Sequence, residues 1–163
     1  MKRTMFVVAL FAVLLVSMSA HTERVYEAAD GFKAPDITIE NSHSSVSLSD
    51  LKGKYVLVSF WASSNAQSRI MAAQYDDFQR NHSEERFCLL SINFDRSERL
   101  FREIVRRDNL SAKSQFFVSG NDAESIFETY HLSNGFQSFL IDPQGKIVAT
   151  NPSNSTLQKF VCS

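Results

Sequence analysis

The run Tyr55-Val56-Leu57-Val58-Ser59-Phe60-Trp61 constrains this chain more than any other stretch. It is β-branched, aliphatic and aromatic, with one small hydroxyl inside, and it shows no alternation between a wet face and a dry one. Such a run suits a central strand covered on both sides, as in layered α/β domains. It stops abruptly at Ala62-Ser63-Ser64-Asn65, and from Ser68 the apolar period becomes helical. Met71, Tyr75 and Phe78 fall on the inner face, with Gln74, Asp76 and Arg80 outside. Strand, short polar loop and helix is the layout of a reactive loop at a strand end. This loop, however, contains no cysteine, histidine or carboxylate.

The remaining pattern supplies partners for that strand. Phe87 to Phe94 reads as a second buried strand. Ser97 is placed to cap a helix whose stripe is Leu100, Phe101, Ile104 and Val105. "SQFFVSG" suggests a short strand, and Asn121 or Asp122 a cap for a helix carrying Ile126, Phe127 and Tyr130. "QSFLIDPQGKIVAT" reads as a hairpin about Asp142-Pro143-Gln144-Gly145, and "STLQKFV" as a last short helix. Upstream, Ile37 and Ile39 alternate as in a strand, and residues 41–54 read as a loop turning at Gly53. This order predicts an α/β three-layer sandwich, a mixed central sheet flanked by helices. A length of 163 residues, 44% of them hydrophobic and 14 of them Phe, can fill one core.

The first residues read as an export signal over 1–20. "MKRT" is a charged start, Met5 to Val16 an apolar core, and "SMSA" a small-residue exit with cleavage near Ala20. An uncleaved N-terminal anchor is the other reading. Residues 21–34 are a polar extension, and the domain proper is expected over 35–163. Of 17 basic residues, Lys2 and Arg3 leave with the signal, so 15 face 18 acidic ones in the mature chain. That balance offers no basic stripe for nucleic acid and, once the signal is removed, no membrane attachment. Only Cys88 and Cys162 are present. In an oxidising compartment they could pair. The plainer reading is a buried strand thiol and a loose thiol near the chain end.

At this point the residues carry a likeness. "GFKAPDITI", "SLSDLKGKYVLVSFWAS" and "FLIDPQGKIV" resemble segments of thioredoxin-like proteins of the redoxin group, the AhpC/TSA and TlpA-like thiol-disulfide oxidoreductases. The resemblance runs from about Gly31 to Val161. It implies a thioredoxin-like fold. It also places the family's usual Trp-Ala-Ser-Trp-Cys-x-x-Cys-Arg on the stretch from Trp61 to Arg69. Asn65 takes the attacking cysteine's place, Ser68 the resolving cysteine's, and Ser64 that of the second Trp. The cis-proline that precedes the family's Phe-Leu-Ile-Asp strand is matched by Phe136, so the Gly135–Phe136 bond is expected to be trans.

Thiol–disulfide exchange needs a thiolate to attack and a second thiol to resolve. A helix N-terminus lowers a thiol's pKa, but an amide cannot ionise and an alcohol is far too weakly acidic for a helix dipole to ionise. The degenerate loop (Trp61, Ser64, Asn65, Ser68, with Phe136) therefore points to a redox-inactive scaffold that binds a protein or small ligand, without metal or cofactor. Ser64 and Asn65 are expected to cap the helix rather than hold an anion, and Arg69 to be a solvated helix charge. Two alternatives stay open. One is an oxidoreductase or peroxiredoxin-like enzyme working by an unconventional route through Cys88 or Cys162. The other is a non-thiol enzyme using Ser68 with a distant histidine.

Overall fold

The computed structural model describes residues 27–82 and 84–162. The signal read at 1–20 and the first part of the polar extension lie outside them. In chain order the elements are β1 (Thr38–Glu40), β2 (Ser45–Ser47), a 3-10 turn Leu48–Leu51, β3 (Tyr55–Trp61), α1 (Ala66–Arg80), β4 (Phe87–Asn93), α2 (Glu98–Arg107), β5 (Gln115–Phe117), α3 (Gly120–Thr129), β6 (Ser138–Ile141), β7 (Ile147–Thr150) and α4 (Asn154–Val161).

The main sheet has the order β5-β4-β3-β6-β7. β3 pairs in parallel with β4, from Tyr55 opposite Phe87 to Trp61 opposite Asn93. It pairs antiparallel with β6, Val56 opposite Ile141 and Ser59 opposite Ser138. The sheet is therefore mixed, and β3 lies at its centre, as its unbroken apolar run requires. Val56, Val58 and Phe60 point to one face, where Ile126 and Tyr130 of the α3 region cover them. Leu57 points to the other, under Tyr75 and Phe78 of α1 and Leu157 and Val161 of α4. Trp61 points the same way and meets Phe101, Ile104 and Val105 of α2. Burying each such side chain contributes roughly 1.5–3 kcal/mol.

Several expectations need correction. Residues 45–47, read as loop, form β2 and pair with β1 in a separate two-stranded ribbon. Asp76, expected outside, is 1% exposed. The segment after α2 covers α1 on a second side, and Asp76 accepts hydrogen bonds there from Ser111 N–H at 2.9 Å and the Ser114 hydroxyl at 3.1 Å. Arg80 Nη2 lies 2.7 Å from its other oxygen. Leu100 and Phe127 are exposed, because the faces that α2 and α3 bury are narrower than their apolar stripes. α3 begins two to three residues early, after Ser119, which places Asp122 in its first turn. Ser97 caps α2 as expected, accepting from Leu100 N–H.

Ahead of β1, Gly31 N–H and Ala34 N–H donate to the carbonyls of Ile147 and Gly145, and Ile147 N–H donates to the Phe32 carbonyl. The chain thus runs along β7 before it enters the ribbon. The Tyr130 hydroxyl, buried and pushed above its ordinary pKa by that burial, donates to the Pro35 carbonyl at 2.7 Å.

Candidate functional site

β3 ends under the sheet's cover and delivers the chain to the head of α1. Trp61, the last residue of β3, is fully buried, its ring 6.1 Å from that of Phe101. It is part of the core and no wall of the loop. Ser64 is exposed. Asn65 is the N-cap: its backbone is extended, and its Oδ1 accepts from Ser68 N–H at 2.9 Å. Such a cap supplies one of the four helix donors that lack a backbone partner.

Ser68 is 7% exposed and closes the loop from the other side. Its hydroxyl donates to the Asn65 carbonyl at 3.1 Å and accepts from Ala62 N–H at 3.3 Å. The proton that a nucleophilic serine would surrender is held by a backbone oxygen, and among the described residues no imidazole is bonded to the hydroxyl. A general base has to come within hydrogen-bond reach to act. His82 is at the opposite end of α1, where it follows Arg80 and Asn81 and stacks on Phe78.

The rest of the loop is fastened by groups far away in sequence. Asp95, just past β4, accepts from both Ser63 N–H and the Ser63 hydroxyl at 2.9 Å, and its second oxygen accepts from Asn93 Nδ2 at 3.1 Å. A carboxylate therefore does reach the loop, though the loop's own sequence has none. The only sequence signal was polar Asn93 and Asp95 ending an apolar run. Arg69 also departs from expectation. Its Nε and Nη2 donate to the two Asp108 oxygens at 2.6 Å each, pinning the head of α1 to the end of α2. This hydrogen bonding holds the Asp108 carboxyl below its ordinary pKa and the Arg69 guanidinium above its own.

Phe136 faces Asn65 and Ser68 across a cleft of about 380 Å³ whose lining includes Phe60, Met71 and Asn151. Its ring is half-buried and lies 5.6 Å from that of Phe94. The Gly135–Phe136 bond is trans, as are the other peptide bonds among the described residues. Gly135 sits at φ 120°, a backbone state that a side chain would strain. Beneath the cleft, Asn151 has left-handed backbone and its Oδ1 accepts from Ser138 N–H at 2.9 Å, while Asn151 N–H donates to the Ser138 carbonyl at 2.7 Å. The Ser138 and Ser59 hydroxyls bond each other at 3.0 Å.

The structure brings together Asn65, Ser68 and Phe136, and it separates the two thiols from them and from each other. The possible Cys88–Cys162 disulfide is not formed, and both cysteines are free. Cys88 packs into the cluster on the α3 face of the sheet, whereas Cys162 follows Val161 of the cluster on the α1 face. The sheet itself lies between them. Cys88 stands opposite Val56, five positions up the ladder from the Trp61–Asn93 pair, or roughly 16 Å away at strand spacing. Burial pushes its thiol up from the ordinary pKa.

A mixed sheet with helices on both faces, and a strand-loop-helix turn at its centre, define a thioredoxin-like protein. The chain belongs to the AhpC/TSA family, whose sequence model matches residues 31–150. It is 26% identical over 160 residues to the thiol-disulfide oxidoreductase ResA of Bacillus subtilis (strain 168), covering 90% of this chain and 84% of that one. A crystal structure of a thioredoxin-like protein from Parabacteroides distasonis matches 85% of this chain and 98% of its own at 27% identity, with a TM-score of 0.74. The thioredoxin domain of a thiol-disulfide oxidoreductase from Bacteroides vulgatus matches 82% and 98% at 33% identity, TM-score 0.69.

Proposed function

We propose that this is an exported thioredoxin-fold protein that carries out no thiol–disulfide exchange at the head of α1 and acts there by binding a protein or small ligand. One observation carries the reading: where exchange needs an ionisable sulfur, the chain has an amide oxygen and a hydroxyl already committed to the helix cap and to backbone groups. The cleft beside them supports a binding role. Its walls are apolar, amide and hydroxyl groups, without a charged side chain. A charged ligand would lose its hydration there with no counter-charge in return. The fitting occupant is an uncharged, amide-bearing one, such as an extended polypeptide segment.

Export rests on the charged, apolar and small-residue succession of residues 1–20, with the domain beginning near residue 35. Among the described residues no helix is long and apolar enough to cross a membrane. The mass of the mature protein checks the cleavage near Ala20.

Two assays test the function. The mature chain is expected to reduce insulin with dithiothreitol, and to consume peroxide, no faster than a buffer blank. It is also expected to retain a partner from native extract, and Gln67→Asp, which puts a charge on the exposed rim of the cleft, is expected to release it. The names of the relatives favour the competing reading, an oxidoreductase working by an unconventional route. That reading requires dithiol-dependent turnover that disappears in Cys88→Ala or Cys162→Ala.

A further inference from the structure

The carboxyl end of α1 holds a group that the binding reading does not use. The Cys162 sulfur lies 3.3 Å from His82 Nε2, and Cys162 is exposed. His82 Nδ1 lies 2.7 Å from the Phe78 carbonyl oxygen. A carbonyl only accepts, so Nδ1 carries a proton, and in that tautomer of the imidazole it is Nε2 that has the lone pair and faces the thiol. The imidazole also stacks on the Phe78 ring, with centroids 3.9 Å apart and planes 14° from parallel, which fixes its orientation. Cys162 is no loose terminal thiol. It is the C-cap of α4, and its N–H donates to the Gln158 carbonyl at 3.0 Å. Nucleophile, base and a third group that orients the base are therefore all present, the arrangement by which side-chain nucleophiles are activated.

We propose that Cys162 and His82 form a thiol-modification site that takes the disulfide of a low-molecular-weight thiol and yields a mixed disulfide on Cys162. His82 Nε2 removes the thiol proton. The Cys162 thiolate attacks one sulfur of the small disulfide. A new Cys162–sulfur bond forms as the old sulfur–sulfur bond breaks, and the departing thiolate takes the proton from His82. Cys162 is oxidised, and one half of the small disulfide is reduced to a free thiol. The exchange stops there, because the only other thiol, Cys88, lies behind the sheet and cannot resolve the product. The site is thus one of modification and not of dithiol turnover. It stands whether or not the cleft at the head of α1 binds a ligand.

Two helix C-termini meet here, and both favour positive charge. The helix ends therefore give no help to an anion here, so the direct sulfur–imidazole contact has to carry the activation. A few per cent of an ordinary exposed thiol is ionised at neutral pH, so full ionisation would raise its rate at most about thirtyfold.

The test incubates the full mature chain with oxidised glutathione at neutral pH and follows adducts by intact mass and peptide mapping. One adduct on Cys162 and none on Cys88 is expected. His82→Gln should slow its formation about tenfold. His82→Phe, which keeps a ring over Phe78 but supplies no base, should slow it equally. Rates in both variants equal to that of the parent protein would overturn the proposal by showing a merely exposed thiol. Comparable labelling of Cys88 would overturn it as well.

Discussion

At its amino end α1 meets Asn65, Ser68 and Ala62; at its carboxyl end it meets His82 and Cys162. The first set is closed: the cap amide and the serine hydroxyl each have backbone partners, and Asp95 and Asp108 tie the adjoining residues down. The second set is open: a solvent-facing sulfur rests against an oriented imidazole. The two ends are about 25 Å apart along the helix, and their chemistry is the reverse of what their positions favour. The positive helix head, where a thiolate would be stabilised, has no sulfur. The negative foot, where a thiolate is opposed, has one. Helix electrostatics tune a reactive group, but the side chain present decides whether there is one to tune.

The largest expected effect breaks the contrast at the head. Asn65→Cys with Ser68→Cys should convert a chain without dithiol chemistry into one with a reversible disulfide, because the strand-loop-helix frame is intact. Thiol titration across graded reductant checks this, and two thiols that stay free under mild oxidation would mean that the loop geometry has changed.

Between the two ends lies Asp76, whose removal tests how far α1 depends on buried polar fastening. Asp76→Ala leaves Ser111 N–H without its acceptor, the Ser114 hydroxyl with only the Ser111 carbonyl, and Arg80 with the Asn109 carbonyl but no carboxylate, at a cost of about 3 kcal/mol. Urea unfolding should show this as a lowered midpoint at an unchanged slope.

Arg69→Ala should cost about 1–2 kcal/mol, as expected for a partly buried bidentate pair, and it has a pH signature. Asp108 has a depressed folded pKa, so its contribution is present above the unfolded carboxylate value near pH 4. It is lost as pH falls through the folded value. Urea midpoints at about pH 7 and about pH 3 should therefore diverge less in the variant than in the parent.

Ser68→Ala should cost about 1 kcal/mol, since Ala62 N–H loses its acceptor. His82→Gln should be the mildest for stability, about 0.5 kcal/mol for the lost stacking on Phe78, while its thiol kinetics change tenfold. Equal loss of stability at both ends would erase the distinction between a structural head and a reactive foot.

Much of this was legible in the sequence. The unbroken run from Tyr55 to Trp61 can only be satisfied by two covering layers, and the helix period that begins beyond it sets α1. The cap at Asn65, and the lack of any thiol in the loop, are local properties of a few adjacent residues. Less visible were contacts made by residues distant in the chain. Periodicity assigns one buried face to α1, so it put Asp76 outside and left Arg69 to solvent. It had no means of registering that α2 and the segment after it close over α1's flank.

The sequence alone determined the layered α/β architecture, the identity of the groups at the head of α1, and the absence of an ionisable sulfur there, because these follow from side-chain chemistry and short-range pattern. The tertiary structure alone decided that Asp95 reaches the loop, that the sheet separates Cys88 from Cys162, and that His82 meets Cys162. Each is a pairing across tens of residues, set by strand register and helix packing, and no local pattern encodes the distance between two such side chains.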